Sequence, residues 1–326
     1  MSFKNPVEAG YVYTYLCTKV GNKILLTNSY GAVITHIEPK HLTTVPIPDA
    51  PAPIKNRINE CIVQSYALRD KSNALVNEAI NLLTKELHFP SMENFFKKPS
   101  ATAFSVKLSD TNLRLDGSYH LPIVDRIIEH LHRYAGEVTT IGDNRVSDEV
   151  ILPGRFKRVY VKEGHGRVFI GGKQLWELNP TNKKYLSPVH HANRIASQLE
   201  LCENMTLITC SGTIGKITLV GKHWENWTAS QHVIRVIPAD ANIAGYISVF
   251  LSTGFGRCLL VRNTYGSVID EINDDQVRRT PFPLLKNQDI QSQINSLALS
   301  ANNMRYEAYM LEQEALKIMN DEVINA

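Results

Sequence analysis

The chain has 326 residues, long enough to bury a substantial core yet near the size at which single cores split into separate units. Its 35 Lys and Arg against 32 Asp and Glu leave a net charge of only +3, so any affinity for nucleic acid must come from local basic clusters rather than from an overall polycation. Five scattered cysteines (Cys17, Cys61, Cys202, Cys210, Cys258), with no Cys-x-x-Cys pair, argue for reduced thiols in a cytoplasmic protein, and no apolar run suggests a signal peptide or a membrane span.

The N-terminal stretch Gly10 to Pro48 recurs near the other end as Gly245 to Pro283. Tyr11-Val12 aligns with Tyr246-Ile247, Asn28-Ser29-Tyr30-Gly31 with Asn263-Thr264-Tyr265-Gly266, Val33-Ile34 with Val268-Ile269, and Pro46-Ile47-Pro48 with Pro281-Phe282-Pro283, all at a constant offset of 235 residues. A period this long belongs to a duplicated domain, not to a solenoid. The first copy fits short helices or short strands around Gly21 and Gly31 equally well. Its twin is preceded by roughly 140 residues of mainly strand-like sequence, so the first copy reads as the tail of a domain without its body.

A long helix is expected after the prolines at 46–53, from Ile54 to Leu87. Ile54, Ile58, Cys61, Ser65, Leu68, Ser72, Leu75, Ala79 and Leu82 step by four and three residues, the seam of a coiled coil. Ile290, Ile294, Leu297, Ala301, Met304, Ala308, Leu311, Ala315 and Ile318 repeat those steps at the C-terminus. Small residues coincide in the two seams, which allows close approach of two helices, although each could instead pack on its own domain. Between the helices, Phe95 to Pro99 reads as a linker, Phe104 to Leu108 as a strand, Arg114 to Tyr119 as a turn, and Ile123 to Tyr134 as a helix capped by Gly136. Strands are expected at 159–161, 167–170, 207–209, 217–220 and 232–237, and a helix over 244–251. The fold class is α/β (α+β): one body with a twisted, mostly antiparallel sheet, plus two long helices pairing as an antiparallel coiled coil.

Catalytic patterns are incomplete. Gly212-Thr213-Ile214-Gly215-Lys216 has two residues between its glycines where a Walker loop needs four, and reads as a tight turn between strands. His130, His132, His190 and His191 lack metal-ligand spacing. Asn179-Pro180-Thr181-Asn182 lacks the second proline and the aromatic of a base-gripping methyltransferase motif, and Phe169 to Lys173 falls short of an adenosylmethionine loop. What remains is basic and hydroxyl side chains on turns: Arg155, Lys157, Arg158, Lys173, Ser211, Gly212, Thr213, Lys216, Arg262, Asn263, Tyr265 and Ser267. Cations neutralise phosphates and Arg reads guanine edges, while glycines let backbone approach closely. Charge alone fits a solvated surface as well.

In order along the chain, Arg155 to Val161, Phe169-Ile170-Gly171-Gly172, Ser211 to Gly215, Tyr265 to Ile269 and Pro281-Phe282-Pro283 leading into a long helix resemble the specificity subunit of type I restriction-modification systems. The resemblance covers nearly the whole chain. It implies target-recognition domains that each read half of a bipartite DNA site, separated by two antiparallel spacer helices. The expected division is a C-terminal remnant of a first recognition domain at 1–48, a spacer helix at 49–90, a complete recognition domain at 91–283 and a second spacer helix at 284–326. The helix-pair interface is expected at Ile54, Ile58, Leu68, Leu75, Ile290, Ile294, Leu297, Met304 and Leu311. A helix of about 34 residues spans roughly 50 Å, on the order of one to two DNA turns.

The subunit so implied is not catalytic and holds no cofactor or metal. Its partners would be double-stranded DNA, modification (methyltransferase) subunits that methylate adenine with S-adenosylmethionine, and a restriction subunit using ATP and Mg. Lacking the first body, the chain would need a second copy of itself or another polypeptide to complete recognition. The alternative is a truncated interaction protein that binds modification subunits through its helices without specific DNA binding.

Overall fold

The computed structural model describes residues 6–27, 29–31, 36–96, 103–180 and 183–325. The expectations for Met1 to Lys4, Asn28, Val33-Ile34, Lys97-Lys98-Pro99 and Thr181-Asn182 lie outside the described residues. The helices in chain order are α1 (Pro6–Cys17), α2 (Lys19–Thr27), α3 (Pro39–Leu42), α4 (Ala52–Glu86), α5 (Met92–Phe96), α6 (Pro122–Tyr134), α7 (Pro188–Arg194), α8 (Ala241–Ser252), α9 (Gly254–Val261), α10 (Asp274–Arg278) and α11 (Gln288–Met319). The strands are β1 (Glu137–Thr140), β2 (Ser147–Ile151), β3 (Arg167–Ile170), β4 (Lys184–Leu186), β5 (Thr206–Thr209), β6 (Ile217–Leu219), β7 (Thr228–Ala229), β8 (Val233–Pro238) and β9 (Pro281–Leu284). Mixed helix and antiparallel sheet with two long helices is the class expected from the sequence.

The chain forms two compact units, Met1–Ser72 with Met304–Ala326, and Asn73–Asn303, so each long helix contributes to both. In the first unit α1 to α3, the start of α4 and the end of α11 surround a core of Tyr11, Tyr15, Val45, Ile58, Ile62, Ala315, Ile318 and Met319. The two long helices run antiparallel here: Arg57 pairs with Glu322 at 2.9 Å, and eight residues on, the Ser65 hydroxyl donates to the Ala308 carbonyl at 2.9 Å. The small seam residues Ser65, Ser72, Ala308 and Ala315 are buried, as close backbone approach requires.

In the second unit, Ala79 and Leu83 of α4 and Leu87 just after it share a core with Val124, Ile127 and Leu131 of α6, with α8 and α9, and with Ile294 and Ala298 of α11. Three small sheets replace the single sheet expected: β1-β9, β2-β8-β5-β6 and β4-β3-β7. All pairings are antiparallel except β3 with β7, and β2 carries a register shift between Ser147 and Glu149. Arg235 of β8 is fully buried and donates to the carbonyls of Val233, Leu199 and Ala229. Burial lowers its pKa to about 9; we hold the guanidinium to be charged, because three carbonyls oppose its deprotonation.

Three local expectations are corrected. Phe104 to Leu108 is not a strand: it finds no partner strand, its side chains are exposed, and it ends in a single 3-10 turn at Leu108–Asp110. Val159 to Val161 is reduced to one bridge, Tyr160 to Leu186, at the outer edge of β4. Gly136 is not the cap of α6. Ala135 takes that position in an extended conformation, and Gly136 instead passes 3.0–3.1 Å, measured from a notional Cβ, from the Leu285–Lys286 backbone and donates its N–H to the Leu284 carbonyl.

The duplication is visible atom by atom. Tyr11 donates its hydroxyl to the Pro48 carbonyl at 2.8 Å, and Tyr246 to that of Pro283 at 2.9 Å. The Thr18 hydroxyl accepts the Gly21 N–H at 3.0 Å; Thr253 accepts that of Gly256 at the same distance. Tyr30 bridges His36 as Tyr265 bridges Glu271, and Gly31 and Gly266 share positive φ angles of 109° and 114°. The open choice between helices and strands for the first copy resolves as helices, α1 and α2 corresponding to α8 and α9. The copies differ in burial: Val20 is 43% exposed where its counterpart Phe255 is 3% exposed. No single helix among the described residues is long and apolar enough to cross a membrane.

Candidate nucleic-acid interface

Strand β5 ends at Thr209, whose hydroxyl and backbone organise the turn into β6. Between β5 and β6 the chain reverses over residues 210–216, with Gly212 and Gly215 at φ angles of +73° and +76°, a region side chains rarely adopt. The Gly215 N–H donates to the Thr209 carbonyl at 3.0 Å and the Lys216 N–H to the Thr209 hydroxyl at 3.0 Å. These bonds close the turn expected at this position and leave Gly212 and Thr213 exposed at its tip.

The same threonine receives the loop after β3. A side chain on Gly172 would begin 3.1 Å from the Thr209 methyl, so the two glycine-containing motifs lie against each other. Lys173 is exposed one residue further. The Thr218 hydroxyl donates to the Leu175 carbonyl at 3.0 Å, tying the loop to β6. Lys216 extends its ammonium over the ring of Trp176, 4.4 Å from the centroid.

On the other side of the turn, Ser211 bridges Glu271 and the Gly212 N–H donates to the Asp270 carbonyl at 2.9 Å. This brings in the loop 265–271, where Tyr265 is 40% exposed and Ser267 is exposed. Arg155 reaches Glu271 at 3.6 Å but is mostly solvated, a geometry worth little in water. Lys157 is exposed beside it in sequence.

Three expected residues are engaged inside the unit. Arg158 donates to Gln231 at 2.7 Å and lies over the Phe169 ring at 5.3 Å. Arg262 donates to the Tyr119 carbonyl at 3.0 Å, sits over the Tyr119 ring at 4.4 Å and pairs with Asp125 at 3.7 Å. Asn263 donates its amide to the Leu259 carbonyl and gives its own carbonyl to Arg114. These side chains hold loops; Lys173, Gly212, Thr213, Lys216, Tyr265 and Ser267 form the part that faces solvent or lines the turn.

Two further residues join the site that sequence pattern does not single out, Trp176 and the acidic Glu271, and the basic Arg257 neighbours the turn. A notional Cβ on Gly215 lies 3.6 Å from the Arg257 side chain. For Trp176 the only sequence signal is an isolated tryptophan in a polar loop. Of the histidines, His130 is held by the Leu87 carbonyl at 2.8 Å and stacked on Phe89, and His191 accepts the Val159 N–H at 3.1 Å. Burial, then the His190 and Arg194 charges, lower the pKa of His191.

For the helix-pair residues, Ile58 and Ile294 are buried, while Ile54, Leu68, Leu75, Ile290, Leu297, Met304 and Leu311 are half-buried. Glu312, 6% exposed, faces Ser65 and Arg69, each at 3.4 Å.

No model of a known protein family matches the chain, and no curated protein matches it. Among solved structures it is similar to the HsdS subunit from Thermoanaerobacter tengcongensis, at 14% identity and a TM-score of 0.34, over 94% of this chain and 68% of that one. It is similar also to the S subunit of a type I restriction-modification system from M. genitalium, at 12% identity and a TM-score of 0.35, over 97% and 74% of the two chains. A third similar chain comes from a structure describing complex assembly and conformational transition of the type I R-M system, at 13% identity and a TM-score of 0.35, over 94% and 67%.

Proposed function

We propose that the chain is the sequence-specific DNA-recognition subunit of a type I restriction-modification complex, without catalytic activity of its own, that directs a partner adenine methyltransferase and a restriction subunit to a bipartite site. The observation that carries this reading is the repeated module. Each copy has a Tyr–Pro hydrogen bond, a Thr–Gly helix junction and then a long helix, and the two helices run antiparallel. Antiparallel spacer helices, each joined to one copy of a module, suit a site read in two separated halves. Helix α4 has 35 residues, about 50 Å at ~1.5 Å per residue.

On this reading residues 91–283 are the complete recognition domain, 49–90 and 284–326 the spacers, and 1–48 the tail of a first recognition domain. Lys157, Lys173 and Lys216 neutralise phosphates, and Ser211, Thr213 and Ser267 come near the bases or backbone. The contrast between exposed Val20 and buried Phe255 supports a second recognition body seated on the N-terminal copy. The partner subunits, not this chain, use S-adenosylmethionine, ATP and Mg.

The test is to express the chain with its partner methyltransferase and map methylated adenines. One sequence motif is expected, and it disappears when residues 91–283 are deleted; an unchanged motif after that deletion overturns the proposal. Exposed Val20 and Leu26 of α2 favour one other reading, a truncated interaction protein that engages modification subunits through its helices without reading DNA. Duplex binding that weakens steeply with salt decides for the first, since counterion release scales with the phosphates contacted.

A further inference from the structure

We propose that the free face of the Trp176 indole is an aromatic contact to duplex DNA, with Lys173 and Lys216 neutralising the phosphates on either side of the nucleotide it touches; this rests on the DNA-recognition reading above. Trp176 is 66% exposed, whereas Trp224 is 3% exposed and stacks with half-buried Trp227 at 5.9 Å. Exposure alone would mean little, because single apolar residues on a surface are common. The distinguishing feature is that this exposed ring is fixed in place. Its N–H donates to the Ile217 carbonyl at 3.4 Å, which holds one edge against β6. The Lys216 ammonium lies 4.4 Å from the ring centroid and so occupies one face.

The loop that carries the ring is fixed as well. Gln174 accepts the Gly171 N–H at 3.0 Å, the Leu175 carbonyl accepts the Thr218 hydroxyl at 3.0 Å, and Leu175 is buried at 1% exposure. A ring immobilised before binding loses little entropy on contact, which is the condition under which an aromatic side chain contributes most to affinity. The Lys216 ammonium covers one face, and Lys173, exposed on the same loop, lies three residues before the ring. Indole face and ammonium groups together match a nucleotide: an apolar base or sugar surface flanked by phosphates.

The experiment titrates the full chain with a 30-base-pair duplex at low salt and follows intrinsic tryptophan emission, with W176F as the reference that removes this ring alone. The expected result is an emission change on binding that W176F lacks, and an affinity about ten-fold weaker in W176A, within the range of aromatic–base contacts. W176A should retain the salt dependence of the wild type, whereas the double substitution K173A/K216A should reduce the slope of log K against log salt by about two. Far-UV circular dichroism of W176A unchanged from wild type shows that folding is intact. Salt-dependent duplex binding with unchanged emission, or with W176A binding as tightly as wild type, overturns this proposal and leaves the recognition reading standing. Absence of any duplex binding by the wild-type chain overturns both.

Discussion

The Tyr246 hydroxyl donates to the Pro283 carbonyl at 2.9 Å across 37 residues of chain, in a place where neither ring nor carbonyl meets water. It closes the repeated module by tying α8 to β9, and Phe282 between them packs edge-on against both Tyr246 and Phe250. Removing the hydroxyl leaves a buried carbonyl without its donor, so Y246F is expected to cost about 1–3 kcal/mol in urea denaturation. Tyr11, its counterpart, makes the same bond to the half-buried Pro48, whose carbonyl is better able to find water. Y11F should therefore cost less than Y246F, and equal costs would show that burial does not set the difference.

Gly256 permits the 80° break between α8 and α9. A Cβ there would overlap the Phe250 carbonyl oxygen, and at Gly21, its counterpart, that of Tyr15. Neither contact is with a flexible side-chain end, so backbone must move. G256A is expected to lose on the order of 2–4 kcal/mol. G117A provides the control: nothing lies within 4 Å of a Cβ at Gly117, and its stability should change by less than about 0.5 kcal/mol. Thermal unfolding of the two variants side by side gives the comparison.

Those two modules explain why the duplicated architecture is legible in the sequence. Tyr11 and Tyr246, Thr18 and Thr253, Gly21 and Gly256 each perform one physical task, and a task that admits few residue types leaves a repeat that can be read. The long helices are legible for the related reason that a seam of small and apolar residues has a period. The sheets are less so. Phe104 to Leu108 has the alternation of a strand, but alternation does not supply a partner, and pairing depends on residues far along the chain. Arg158 and Arg262 illustrate the same limit at the candidate site: composition marks them as cations on loops, whereas the rings of Phe169 and Tyr119 that receive them come from elsewhere in the sequence. Trp176 is silent in the sequence because its meaning lies in Lys216 and Ile217, some 40 residues later.

Glu312 predicts a pH effect at the helix pair. Burial raises its carboxyl pKa, opposed by the Arg69 charge and then by the Ser65 hydroxyl. A carboxyl whose folded pKa lies above its unfolded value binds more protons in the native state between the two. Its contribution to stability is therefore fully present below the unfolded pKa and is lost as pH rises through the folded one. E312Q keeps the shape and removes the titration. Urea midpoints measured at pH 4 and pH 8 should fall further across that interval in the wild type than in E312Q, and the neutral variant should be at least as stable as wild type at pH 8. A steeper loss in E312Q would mean that the Arg69 pairing outweighs desolvation.

Thr209 offers a test of the turn that presents Thr213 and Lys216. Its hydroxyl is the acceptor for the Lys216 N–H, and its carbonyl is the acceptor for the Gly215 N–H, so side chain and backbone together close the reversal. T209V preserves volume and the 3.1 Å approach to Gly172 while deleting only the hydroxyl acceptor. The Lys216 amide, on a half-buried residue, then lacks a partner unless water enters, a local cost of about 1–3 kcal/mol. Hydrogen exchange at the Lys216 amide should accelerate by one to two orders of magnitude, about the factor that such a free-energy change implies. Duplex affinity should fall with the salt slope retained, because the cations remain while their placement loosens. Faster exchange with unchanged duplex affinity would show that the turn is built by Thr209 but is not where DNA binds.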